Sequence, residues 1–134
     1  MELRATGATL SEAFARIALD LFAAAVDPPT VEDKDVREVR AHGAGVPALL
    51  QAWLQECLYV HEVEGFACRS IEFAVFEAAS SAGAEPLRLH AFLHGEPIDP
   101  TRHVARAVIR GIGAQGLSVQ GESDGFRVRA TLDL

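Results

Sequence analysis

The hydrophobic pattern of the chain changes period near its middle, and that change predicts the elements. Apolar residues at Leu10, Ala13, Phe14, Ile17, Ala18, Leu21 and Phe22 recur at i, i+3, i+4, the signature of a helix with one buried face. Thr9 and Glu12 fit a capping box ahead of it, the hydroxyl taking a first-turn amide and the carboxylate returning to the Thr9 amide. Asp27-Pro28-Pro29 stops the helix, because proline excludes the helical conformation at the residue before it. A second helix opens at Gly45-Val46-Pro47, with proline near the first turn where a missing amide costs little. Its stripe is Leu50, Trp53, Leu54, Cys57, Leu58 and His61, and Gly65 terminates it.

The remaining segments alternate with period two. "MELRATG" is a short strand with Leu3 and Ala5 on one face, and "VEDKDVREVRAHG" a strand whose alternation breaks between Arg37 and Glu38, as a bulge would make it. Ile71, Phe73 and Val75 share a face of the next strand, and Ser80 to Ala84 make a loop. Leu87, Leu89, Ala91 and Leu93 line another, ended by "HGEPIDPTRH". Val104 to Ile112 reads as a strand buried on both faces despite Arg106 and Arg110. Leu117 to Gln120 and the closing "GFRVRATLDL" flank a Ser123-Asp124-Gly125 hairpin turn, and Asp133 falls on the polar face of the last strand. The expectation is a single α+β domain over residues 1–134, with two helices packed on one face of a mainly antiparallel sheet.

Composition narrows the partners. A net charge of −7 argues against direct nucleic-acid binding, which calls for a basic stripe, and favours a cation or the basic surface of a protein. No apolar run is long enough to span a bilayer, and "MELRATG" lacks the basic start and apolar core of a signal peptide. A cytoplasmic protein with no membrane partner is expected. Cys57 and Cys68 are too few for a disulfide framework or a zinc set, so free thiols are expected.

Candidate chemistry is sparse. His90 and His94 share a strand face but sit roughly 13 Å apart at ~3.3 Å per residue, too far to share a metal, and read as exposed polar residues. Cys57 and His61 are i, i+4 on the second helix, yet Cys57 lies in the apolar stripe and reads as a buried structural thiol. The glycines of "GIGAQG" open no helix and so offer no dipole to a phosphate. Glu62 and Glu64, in "HEVEG", sit at the negative end of a helix dipole, which invites a compensating cation or partner; a solvated turn is the simpler account. "GEPIDPTRH" gathers Glu96, Asp99, Arg102 and His103 on one proline-stiffened connection. Such a set can bind an anion or do acid–base work, or be no more than a polar turn.

In this order the segments resemble the archease family. "TLSEAFARIALDLF" resembles its Thr-Leu-x-Glu-Ala-Phe opening helix, and "LLQAWLQECLYVHEVEGF" its Leu-Leu-x-x-Trp-Leu helix with an acidic Glu-Gly exit. "GEPIDPTRH" is similar to its Gly-Glu-x-x-Asp-x-x-(Lys)-His loop, and the terminal "LDL" to its closing hydrophobic-Asp-hydrophobic. The resemblance covers essentially the whole chain. It implies a small α+β cytoplasmic protein, not itself a catalyst, that assists the RNA-splicing ligase of tRNA maturation by promoting its guanylylation and turnover. It also implies a metal, typically calcium, held in part by the Asp133 carboxylate and the Leu134 carbonyl, hard ligands that suit a hard cation. Asp99, Arg102 and His103 form the functional loop by the same resemblance, and Arg102 and His103 are expected on its exposed surface.

The chain departs from that pattern in places. The family's Asp-His-Thr-Ala-Asp motif is absent, since Met1 falls within the strand that follows it, and in-frame codons for such a peptide are expected upstream. Asp133 and Leu134 alone fall well short of the about six to eight oxygens that calcium takes. Val108 stands where the family has Glu, Gly113-Ala114-Gln115 replaces Thr-Tyr-His, and Arg102 replaces lysine. Two readings from other classes remain beside the ligase activator. One is a small enzyme or ligand-binding domain using Asp99, His103 and Glu64; the other is an interaction module that has lost the activating residues.

Overall fold

The apolar stripes of the two helices organise the molecule. In the computed structural model, which describes residues 1–78, 87–113 and 115–134, the first stripe forms α1 (Leu10–Ala25) and the second α2 (Val46–Glu62). Phe14, Ile17, Leu21, Leu50, Trp53 and Leu54 are fully buried, and Leu10 packs at the margin of the core. One half of the predicted capping box is made. The Thr9 hydroxyl accepts from the Glu12 amide at 3.2 Å, while the Glu12 carboxylate turns forward to Arg16 at 2.7 Å.

The strands are β1 (Glu2–Gly7), β2 (Asp35–Gly43), β3 (Phe66–Glu77), β4 (Leu87–Pro97), β5 (Gly111–Ile112), β6 (Ser118–Glu122) and β7 (Gly125–Asp133). They divide into two antiparallel sheets rather than one. The first has the order β1-β7-β5 with β6 also paired to β7, and the second the order β2-β4-β3. The α+β expectation holds, with α1 packed on strands of both sheets and α2 beside it. The predicted Ser80–Ala84 loop lies outside the described residues. Among the described residues no helix is long and apolar enough to cross a membrane.

Two register expectations change. β2 pairs with β4 without a shift from Asp35 to Gly43, so no bulge interrupts it. Its alternation is intact because Arg37 takes an inward position with Val39 and Ala41, laying its guanidinium 4.8 Å from the Phe66 ring centre. A long side chain can do this by burying its stem and keeping its charge near water. The irregularities lie instead in β3, between Cys68 and Ser70 and between Phe73 and Val75. The second shift moves the core face from Phe73 to Phe76, while Val75 lines an outer hollow with Arg40 and His90.

The predicted strand from Val104 to Ile112 survives only as β5. The last turn of α1 carries no basic residue, and its carbonyls need donors. The Arg106 guanidinium donates to the Ala23 carbonyl at 3.0 Å, and the amides of Ala107 and Arg106 donate to Ala24 and Ala25 at 3.0 and 2.9 Å. Those amides are spent on a helix end, so no sheet can use them. Val104 and Val108 accordingly stand in solvent, at 55% and 77% exposure.

Candidate functional site

The connection after β4 is held by its own polar groups. The Asp99 carboxylate accepts from the Thr101 amide at 3.0 Å and from its hydroxyl at 2.7 Å. The bonds from Thr101 hold that carboxyl below its usual range. The Asp99 carbonyl accepts from the amides of Arg102 and His103, at 3.0 and 2.7 Å, and tightens the turn. His103 Nδ1 accepts the Asp99 amide proton at 2.8 Å. That bond places the imidazole proton of the neutral ring on Nε2.

Glu96 sits under this turn, only 3% exposed, with His103 at 6%. Its carboxylate takes both terminal nitrogens of Arg102 and the backbone amide of Glu32. Arg102 also donates to the Thr30 carbonyl at 3.1 Å. His103 Nε2 stands 3.4 Å from Glu96 Oε2 and has no hydrogen-bond partner among the described residues. The expectation that Arg102 and His103 ride on an exposed surface holds for Arg102, a surface cation already matched by Glu96, and is corrected for His103, which is interior.

Asp99, Arg102 and His103 do come together as one unit, joined through the Asp99 backbone, with Glu96 beneath it holding the Arg102 guanidinium. By the period of β4, Leu87, Leu89, Ala91 and Leu93 face inward, so Glu96 belongs to the outer face. It is buried because the segment before β2 folds over it, with the Lys34 amide on the Gly95 carbonyl at 2.8 Å. Gly95 is the one local signal. A side chain there would put Cβ 1.9 Å from the Ala67 carbonyl oxygen, so only glycine fits.

Glu64 does not join this unit; its carboxylate lies 3.3 Å from Arg37 Nε on β2. Arg37 is thus the cation that the acidic exit of α2 requires. Cys57 is fully buried, and burial pushes its thiol well up; burial also pushes Cys68 up to about 12. His61 turns to the Phe66 carbonyl at 3.2 Å. His90 and His94 are half-buried rather than exposed, with His90 Nε2 2.7 Å from Glu38 and His94 between Asp33 and Glu72 at 3.8 and 3.7 Å.

The residues at the chain end do not fit a calcium ion. Asp133 is exposed at the end of β7, and its carbonyl accepts from the Arg110 amide at 2.6 Å. The Met1 nitrogen donates to the neighbouring Leu132 carbonyl at 3.0 Å. Among the described residues no three His, Cys, Asp or Glu side chains gather to hold a metal. Asp133 and Leu134 supply two donor groups where calcium takes about six to eight oxygens.

The His103 geometry sets a pH dependence. Burial, and next the Arg102 charge, lower the basicity of its ring, while Asp99 and Glu32 act in the opposite sense. A histidine less basic when folded stabilises the protein fully above its ordinary value of about 6.5, and that stability is lost as pH falls below it. The thermal midpoint is therefore expected to drop between pH 7 and 5. Scanning calorimetry should show a flatter profile for His103→Gln than for wild type; equal slopes would refute the assignment.

A model of the archease protein family matches residues 1–134. The chain belongs to the archease family. It is 31% identical to the protein archease of Pyrococcus abyssi over 123 residues, 92% of this chain and 83% of that one. It is 29% identical to the protein archease of Thermococcus kodakarensis over the same shares. The fold is similar to the solution structure of Methanobacterium thermoautotrophicum protein 1598, at 23% identity and a TM-score of 0.75, covering 99% of this chain and 89% of the other. It also resembles a Thermotoga maritima crystal structure described as an archease and possible chaperone, with 10% identity, a TM-score of 0.61, and 100% and 90% coverage. Two helices with antiparallel sheets are thus the archease architecture.

Proposed function

We propose that this archease-family chain is a non-catalytic, cytoplasmic accessory protein of an RNA-splicing ligase, promoting its guanylylation and turnover in tRNA splicing or RNA repair. The observation that carries the reading is the family match along all of residues 1–134. The site supports it in a second way. The Asp99–His103 turn is braced from within, which suits a fixed surface offered to a protein partner. The net charge of −7 favours a basic protein surface over RNA. The reading routes no step through calcium, because Asp133 and Leu134 offer too few ligands.

The test is a guanylylation assay with the ligase of the same organism, GTP and a divalent cation. Adding the chain should raise both the rate of ligase–GMP formation and the number of RNA ends sealed per ligase. The chain alone should show no measurable affinity for RNA by fluorescence anisotropy. Unchanged ligase kinetics at saturating chain, or tight RNA binding by the chain alone, would overturn the proposal.

A further inference from the structure

A pocket of about 250 Å³ opens between the C-terminal half of α1 and the start of β3. Leu19, Ala23, Val26, Pro28 and Val31 make its apolar walls, and Asp20 and Arg69 stand at its rim. The two rim charges differ. Arg69 is turned towards the Val31 carbonyl, at 3.5 Å. Asp20 has no hydrogen bond or ion pair among the described residues, although Glu12 on the same helix holds Arg16. The pocket also borders the braced turn. Its Pro28–Val31 wall is held by Arg102 through the Thr30 carbonyl, and the next residue, Glu32, donates its amide to Glu96.

We propose that this pocket receives one lysine or arginine side chain of the partner protein, its methylenes against the apolar walls and its cation on the Asp20 carboxylate. The volume suits a single long side chain rather than a helix or strand. Lysine and arginine are the side chains that carry an apolar stem and a cationic tip together. Burial against the pocket raises the Asp20 carboxyl above its usual range, which an arriving cation would reverse. The overall negative charge draws a basic partner to the molecule, and at this rim Asp20 is the charge left free to meet it, since Arg69 is turned to the Val31 carbonyl. This inference rests on the accessory role proposed above and names the contact it would use.

Two measurements separate the pocket from that role. Calorimetric titration of the ligase should show Asp20→Asn weakening its affinity at least tenfold. Glu56→Gln, the same charge change on the exposed side of α2, should weaken it less than twofold. Equal losses in the two variants, or no loss in Asp20→Asn, would overturn the pocket while leaving the accessory role intact. If wild-type chain does not bind the ligase, the role fails and the pocket is judged by a small probe. n-Pentylammonium chloride, titrated into isotopically labelled chain, should then give saturable amide shifts confined to Leu19–Ala23 and Ala67–Arg69 and abolished by Asp20→Asn. Shifts absent, or unchanged in Asp20→Asn, would overturn the pocket as well.

Discussion

Trp53→Ala is expected to lower unfolding stability by about 3–5 kcal/mol, the usual cost of truncating a large buried aromatic. Trp53 is fully buried, and its indole N–H donates to the Phe14 carbonyl on α1 at 2.9 Å. Its ring centre lies 5.3 Å from that of Phe73, which stands 5.1 Å from Phe76, itself 5.1 Å edge-on to Phe14. The contacts close into a circuit joining α1, α2 and β3. Alanine would open a cavity where all three meet, beside aromatic rings that cannot readily swing in to fill it. Trp53→Phe keeps most of the volume and loses the hydrogen bond, so it should cost less than the alanine change, with about 1 kcal/mol from the bond itself. Urea unfolding followed by circular dichroism measures both. A loss below about 1 kcal/mol for Trp53→Ala would show that the core collapses around the gap and that the circuit is not its centre.

That circuit also marks how far the sequence could be read. The stripes of α1 and α2 were legible because a period near 3.6 survives whatever the helix packs against. β1, β4 and β7 were legible for the matching reason, each keeping one inward face along its length. β3 was legible as a strand but not as a surface: the shift after Phe73 exchanges Val75 for Phe76, and period-two counting has no means of anticipating it. Val104–Arg110 was misread because its Arg106 and Ala107 amides cap a helix about eighty residues earlier, a tertiary use that composition does not encode. Among the candidate site residues, Asp99, Arg102 and His103 were found from their proximity on one loop. Glu96 was seen in the motif but its burial was not, since what covers it is the distant Val31–Lys34 segment. Sequence spacing reports neighbours along the chain, and burial is a property of what arrives from elsewhere.

The burial of Glu96 makes Arg102→Ala the second change with a large expected effect, about 3–5 kcal/mol by the cost of stripping one partner from a buried ion pair. The two directions of truncation are unequal. Arg102 keeps a side chain 37% exposed, so its charge can be hydrated when Glu96 is removed, whereas Glu96 at 4% cannot be hydrated when Arg102 is removed. Glu96→Gln should therefore cost less than Arg102→Ala, because glutamine still accepts from the Glu32 amide and buries no charge. Arg102→Lys should fall between them. An ammonium is a point charge that cannot span both carboxylate oxygens and the Thr30 carbonyl as the guanidinium fork does. Chemical denaturation of the three variants orders them; a cost for Arg102→Ala within about 1 kcal/mol, the range of exposed pairs, would mean that Glu96 is reached by water. The double variant Arg102→Ala/Glu96→Gln removes the stranded charge and should regain most of the stability lost in Arg102→Ala. It is then the right protein in which to assay ligase stimulation. Stimulation lost in a stable double variant assigns Arg102 to the partner surface, and stimulation regained with stability assigns it to the fold.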